Sequence, residues 1–309
     1  MGNASVGREG RFRETCWRLP FCVRRPCQDA ERRTEMLGEI LENVRERTPL
    51  IQNITNYVTA NDCANITLAC GASPTMSDGE EEAEEMGRLC DGLNINMGTL
   101  HPRSVKAMLL AGKSAAGFGR PIVLDPVGAG ASTYRRETAE ELLREIPFTA
   151  IRGNISEIKT ISGGRNSSKG VDADAADAVT EENLEKTIAL ARDFSGRTGA
   201  VIAISGAVDI VTDTKNTYII RNGHPVMAKI TGCGCMLSSL TAAYLAANPD
   251  RKLEAVAAAV ITMGLCGEKA YEKMAEENSG NAGCRNHLID EVYKLTGREL
   301  ERGAKYELR

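Results

Sequence analysis

The stretch TGCGCMLSSL, residues 231–240, sets two cysteines inside a glycine turn just where an apolar helix begins. A C-x-C pair points to metal or redox chemistry. A glycine turn that opens a helix points instead to an anion pocket, because the first-turn backbone N–H groups lack partners and the helix dipole favours negative charge. A structural zinc site takes about four ligands, and the three histidines, His101, His224 and His287, stand at no ligand-like spacing. GCGCML also fails as a dinucleotide fingerprint, since Leu237 occupies the place of the third glycine. The anion reading therefore stands, with Gly232, Cys233 and Gly234 as the hole and Cys235 as the side chain aimed into it. A helix N-terminus also lowers the pKa of a cysteine. Cys233 reads equally well as a small apolar group in the core.

Working outward, DIVTDTKNTYIIRNGHPVMAKI (209–230) has β-rich runs separated by Lys-Asn and Asn-Gly, the pattern of antiparallel hairpins. Beyond the turn, helices are expected over roughly 232–247, 252–274 and 283–295, followed by a polar tail. Towards the N-terminus, LGEILENVRER reads as a helix, PLIQNI as a strand, TANDCANITLACGA as a helix ended by Gly71, and EEEAEEMGRLCDG as a polar-faced helix. LNINMG, PIVLDPVG, TAIRGN and AVIAISG are brief apolar runs, most of them followed by a helical stretch. That rhythm predicts an α/β fold, a central mostly parallel sheet flanked by helices on both faces. Ligands in such sheets sit outside the carboxyl ends of the strands, which makes Asn96, Asp125, Asn154 and Ser205 site candidates by topology alone.

Composition narrows the partners. A 309-residue chain with 42% apolar content buries a large core, and a net charge of -4 with 4% aromatics gives no case for nucleic acid. Small molecules are the expected partners. Ten cysteines without regular spacing read as reduced thiols in a cytoplasmic protein, and no apolar run reaches the length of a membrane span. Residues 1–33 are arginine-rich and lack an apolar signal core; they read as a disordered basic extension or as the product of an upstream start, with Met36 as the alternative initiator, ahead of a single domain over 34–309. Cys16, Cys22 and Cys27 within them match no common zinc spacing. GGRNSSKGVDADAADA (163–178) reads as a polar loop, and AGKSA (111–115) lacks the first glycine of a phosphate loop.

An anion hole beside strand-end carboxylates suits phosphoryl transfer, in which magnesium takes one or two carboxylates plus waters and phosphates. Asp125 and Glu157 supply the acids and Arg152 a phosphate-neutralising charge; the plainer alternatives are a buried structural acid, a solvated helix face and a surface arginine.

PLIQNITNYVTAND, GASPTMSDGEEEAEEM, LNINMGTL, IVLDPVGAGAS, IRGNISEI, VIAISGAVDIVTD and TGCGCMLSSLTAA, in that order, resemble the hydroxyethylthiazole kinase family from about Met36 to Tyr293. The resemblance implies a ribokinase-like fold and ATP-dependent phosphorylation of 5-(2-hydroxyethyl)-4-methylthiazole in thiamine salvage. It places substrate contacts on Met76 and Gly232, ATP contacts on Arg152 and Ser205, Mg2+-side acids on Asp125 and Glu157, and the active-centre cysteine on Cys235. It also implies a homotrimer with sites between neighbouring subunits. Ser205 stands where many relatives have threonine, and the extension over 1–33 has no counterpart. The rival readings are a kinase for another vitamin-precursor alcohol, a dehydratase of damaged nicotinamide cofactors, and a binding module without turnover.

Overall fold

The structure, a computed structural model, describes residues 36–163, 179–180 and 182–309. The expectations for 1–33 and, apart from Gly163, for the loop 163–178 lie outside the described residues. All that follows concerns the second of the two units into which the chain divides, residues 34–309.

The short apolar runs form strands because both of their faces find cover. These are β1 (Leu50–Ile54), β3 (Gly92–Asn96), β4 (Ile122–Asp125), β5 (Ala150–Asn154) and β6 (Val201–Ser205), with a short β2 (Ser73–Thr75) that the sequence reading did not single out. β7 (Asp209–Thr212), β8 (Thr217–Ile220) and β9 (Tyr306–Leu308) complete a sheet of order β2-β1-β3-β4-β5-β6-β7-β8-β9. Pairing is parallel from β2 to β6 and antiparallel from β6 to β9. The register sets Asn53 opposite Asn94, Asn96 opposite Asp125, and Asn154 opposite Ser205.

Successive strand residues point to opposite faces, and the core divides accordingly. Val123, Ala150 and Ala203 pack with α1 (Met36–Arg47), α2 (Ala60–Ala69), α8 (Cys233–Ala247), α9 (Lys252–Glu276), α10 (Asn281–Lys294) and α11 (Gly297–Gly303). Ile122, Leu124, Ile151 and Ile202 pack with α3 (Ala83–Leu89), α4 (Pro102–Gly117), α5 (Thr133–Glu145), α6 (Ile155–Ile161) and α7 (Leu184–Thr198). The result is the three-layer α/β arrangement read from the sequence.

Beyond residue 295, where the sequence shows only a polar tail, α11 packs against α1, and β9 joins β8 at the edge of the sheet, where exposed residues suffice because only one neighbour must be paired. One expectation needs correction. Gly234 does not belong to a turn, since α8 begins at Cys233 and Gly232 alone makes the break. No helix among the described residues is long and apolar enough to cross a membrane.

Candidate active site

The chain enters α8 through Gly232, whose φ of 90° lies in the left-handed region that side chains resist. A β-carbon there would stand 2.7 Å from Thr59 Cγ2. Cys233, Gly234 and Cys235 form the first turn with no side-chain cap, and all three line a cavity of about 780 Å³ at the carboxyl ends of the parallel strands. Inside the helix, Gly234 is required for a different reason: a β-carbon at that position would lie 2.5 Å from Nη1 of Arg152.

Cys235 is buried, and its sulfur accepts from Asn56 Nδ2 at 3.3 Å and Asn96 Nδ2 at 3.2 Å. Burial pushes its thiol up, the negative charge of Asp125 adds to that, and hydrogen bonds from Thr59, Asn56 and Asn96 pull it back. The helix N-terminus therefore does not leave a ready thiolate. Desolvation outweighs it. Cys233 is also buried enough to be pushed up to about 12 and is packed against the core as the plain reading had it.

Asp125, at the end of β4, is wholly buried. Its Oδ2 accepts from Asn96 Nδ2 at 2.8 Å and Ser238 Oγ at 2.7 Å and lies 3.5 Å from Arg152 Nη1, while Oδ1 has no partner. Burial pushes the carboxyl up, and Arg152, Ser238 and Asn96 pull it down. An unpartnered buried carboxylate oxygen beside a cavity fits a hard cation that supplies its remaining ligands from phosphate and water.

Arg152 is no surface arginine. It is 9% exposed on β5, and its Nη2 donates to Ser205 Oγ at 2.6 Å, so one guanidinium bridges the acid of β4 and the hydroxyl of β6. Glu157 is no solvated helix residue either, being 5% exposed. Asn154 caps α6 and Glu157 closes a capping box, its Oε2 accepting from Asn154 N at 2.8 Å; Oε1 accepts from Gly128 N at 2.9 Å. Glu157 thus ties the loop after β4 to the loop after β5. Burial, reinforced by Asp125, pushes its carboxyl up to about 7.

Two further cavities adjoin the large one. A cavity of about 520 Å³, lined by Ser205, Asp209, Leu237 and Val260 among others, shares Arg152, Cys233 and Gly234 with it. A small one of about 140 Å³ is lined by Tyr57, Met76, His101 and Met108 and shares Gly98 and Thr99. Of the residues expected from sequence, Asp125, Arg152, Glu157 and Gly232–Cys235 meet at the large cavity, Ser205 opens the mostly apolar one, and Met76 lies in the small one.

Sequence reasoning gave no role to Asn56, Thr59 or Ser238, although all three belong to the site. For Asn56 a signal existed, since it follows β1 by two residues and the strand-end argument applied to Asn96 and Asp125 extends to it. Ser238 lies inside a long apolar helix, where the sequence pattern marks only core.

A carboxylate, an arginine and a glycine-opened helix around one cavity have the chemistry that phosphoryl transfer needs. Known proteins agree with that reading. The hydroxyethylthiazole kinase family model matches residues 41–298. The chain is 56% identical over 272 residues to a hydroxyethylthiazole kinase of Clostridium acetobutylicum, covering 88% of this chain and 99% of that one. The solved hydroxyethylthiazole kinase of Pyrococcus horikoshii superposes with a TM-score of 0.78 at 36% identity, over 89% of this chain and all of that one. A ribokinase-like superfamily protein of Enterococcus faecalis, 13% identical with a TM-score of 0.56 over 84% of this chain and 94% of its own, shares the fold. With sequence match and fold in agreement over nearly the whole described chain, it belongs to the hydroxyethylthiazole kinase family.

Proposed function

We propose that the protein transfers the γ-phosphate of ATP to the hydroxyl of 5-(2-hydroxyethyl)-4-methylthiazole. The observation that carries this reading is the row of three adjoining cavities: a small one walled by Met76, a polar middle one holding Cys235, Asp125 and the α8 N-terminus, and a mostly apolar one beyond Arg152. Thiazole ring, transferring phosphate and nucleoside occupy them in that order. Asp125, with Oδ1 unpartnered, would hold Mg2+, and Glu157 fixes the two loops beside it. When bound, the ion neutralises charge on the transferring phosphate.

Because the transition state is loose, positioning and charge neutralisation carry most of the acceleration. Arg152 sits where it faces phosphates, with Ser205 and Asp125 holding its guanidinium. The N–H groups of Cys233–Cys235 receive the charge that develops on the phosphoryl oxygens. Cys235 then serves as a modest base or a hydroxyl-positioning group. General-base catalysis typically contributes about 10²–10⁴-fold, and this thiol is pushed the wrong way for a strong base. Cys235→Asp is expected to stay active, with kcat within about tenfold of the native value, since a carboxylate accepts from the same donors and ionises at far lower pH than the raised thiol. A folded, ATP-binding but inactive Asp variant would count against this.

Met76 suits a flat sulfur-containing ring because its thioether is polarisable and adaptable. Met76→Ala is expected to raise the KM for the thiazole about tenfold, the loss of roughly one buried side-chain contact, with the KM for ATP unchanged. An unaltered thiazole KM would remove Met76 from the ring's wall.

The small cavity also supports a homotrimer with sites between subunits. Tyr57, on the small cavity, is 80% exposed and Val58, on the adjoining large one, 57%, apolar surface that a neighbouring copy would cover. Light scattering gives the oligomeric mass. ADP release with and without the thiazole alcohol, and the gain of one phosphate in the organic product by mass spectrometry, test the reaction itself.

A further inference from the structure

Two asparagine side chains converge on the sulfur of Cys235, and their orientation follows from donors that cannot be reversed. Asn96 Oδ1 accepts from the backbone N–H of Gly98 at 2.8 Å, so its amide nitrogen must face the other way, toward Asp125 Oδ2 at 2.8 Å and Cys235 Sγ at 3.2 Å. Asn56 Oδ1 accepts from the backbone N–H of Thr59 at 3.1 Å, so its amide nitrogen faces Asn96 Oδ1 at 3.0 Å and Cys235 Sγ at 3.3 Å. A backbone N–H only donates, so the network admits one arrangement. Both amides are nearly inaccessible, at 4% and 0% exposure. Such a pair of buried donors is costly to keep unless each is satisfied. Here the sulfur satisfies one N–H of each.

The two amides come from different loops. Asn56 lies between β1 and α2, and Asn96 ends β3; Cys235 reaches them from α8, 179 and 139 residues further along the chain. The Thr59 hydroxyl lies alongside, donating to Asn56 Oδ1 at 3.1 Å. The sulfur is thereby gripped from the protein side, and the same residue lines the large cavity on its open side. A thiol has a single rotatable bond and no polar shape of its own; without this grip nothing fixes its direction toward the substrate hydroxyl.

We propose that Asn56 and Asn96 are positioning residues that act on the transfer through Cys235, holding its sulfur with two amide donors so that its free side meets the acceptor hydroxyl. This rests on the reaction assigned under Proposed function. Asn96 additionally steadies Asp125, so Asn56, which touches no acid, separates the two effects. In the native enzyme Asn56→Ala lowers kcat about tenfold, the usual consequence of losing one buried polar contact at a reacting centre, with the KM for ATP within about twofold. In the Cys235→Ala background the same change costs no more than about twofold, because the group through which Asn56 acts is gone. Asn56→Asp is read in the same pair of backgrounds; it keeps the acceptor for Thr59 N–H, hence the turn, and removes the donor, so it reports even if the alanine variant does not fold.

The cycle is measured by ADP release, with thermal unfolding as the control for folding. A cost of Asn56→Ala or Asn56→Asp that is the same with and without the sulfur makes Asn56 a structural residue and overturns the proposal. So does an unchanged kcat in the native background. Absence of thiazole-dependent turnover in the native enzyme overturns the reaction assignment instead, a result the cycle cannot mimic because it compares variants of an active enzyme.

Discussion

Gly234→Val abolishes turnover, lowering kcat by about 10³-fold or more, the range associated with removing a charge-stabilising arginine or anion-hole donor from a phosphoryl-transfer centre. The cause is steric and specific. The new β-carbon falls 2.5 Å from Nη1 and 2.9 Å from Nη2 of Arg152, so the guanidinium cannot remain between Asp125 and Ser205. Valine also narrows the first turn of α8, the place proposed for the phosphate. Helical geometry at residue 234 tolerates a side chain, so the loss of stability is small beside the loss of activity. Gly232→Val, by contrast, costs both: it forces a β-branched residue to a φ of 90° and drives its β-carbon to 2.7 Å from Thr59, a backbone penalty of about 1–2 kcal/mol before any clash is counted. ADP release with thermal unfolding distinguishes the two variants. A Gly234→Val enzyme within tenfold of native activity would mean that Arg152 is not needed where it stands.

Asp125→Asn produces the second large effect, a fall in kcat of about 10³-fold or more that added Mg2+ does not restore, because on the proposed reading the charge that would hold the ion is removed while size and shape are kept. The asparagine oxygen in the place of Oδ2 still accepts from Ser238 and Asn96, and the amide nitrogen, a donor only, takes the place of the unpartnered Oδ1. Arg152 loses its only acidic partner within 4 Å among the described residues. Mg2+ titration of ATP binding separates a lost metal site from a misplaced arginine: the variant should bind ATP with little dependence on the ion. If Asp125→Asn keeps native turnover and native Mg2+ dependence, the ion is held elsewhere.

Much of the molecule was legible beforehand. Strand runs of four or five apolar residues, separated by amphipathic stretches, specify a covered parallel sheet because both signals are local: each depends on neighbours two to four positions away. The strand-end argument then put Asp125, Ser205 and Asn154 on the ligand side without any coordinates. It failed where local pattern carries no information. The polar tail gave no apolar period, yet α11 finds Gly38 of α1 so close that a β-carbon there would lie 2.9 Å from Gly297 O, and β9 pairs with β8 and sets Tyr306 against Tyr218. Gly234 was read into the turn because two glycines in three residues look alike in sequence; only the positive φ of Gly232 and the arginine against Gly234 tell them apart.

By itself, then, the sequence determined the layer architecture, the glycine-opened helix and the residue types of a phosphoryl-transfer site. Tertiary structure alone decided how those residues act. Arg152 and Glu157 are buried and shared among loops, a fact set by which strands lie side by side. The thiol of Cys235 is raised instead of lowered, because burial and Asp125 outweigh its hydrogen bonds. Asn56 and Asn96 meet its sulfur across more than a hundred residues of chain. Protonation and hydrogen bonding depend on what surrounds a group in space, and a linear pattern records only what surrounds it along the chain.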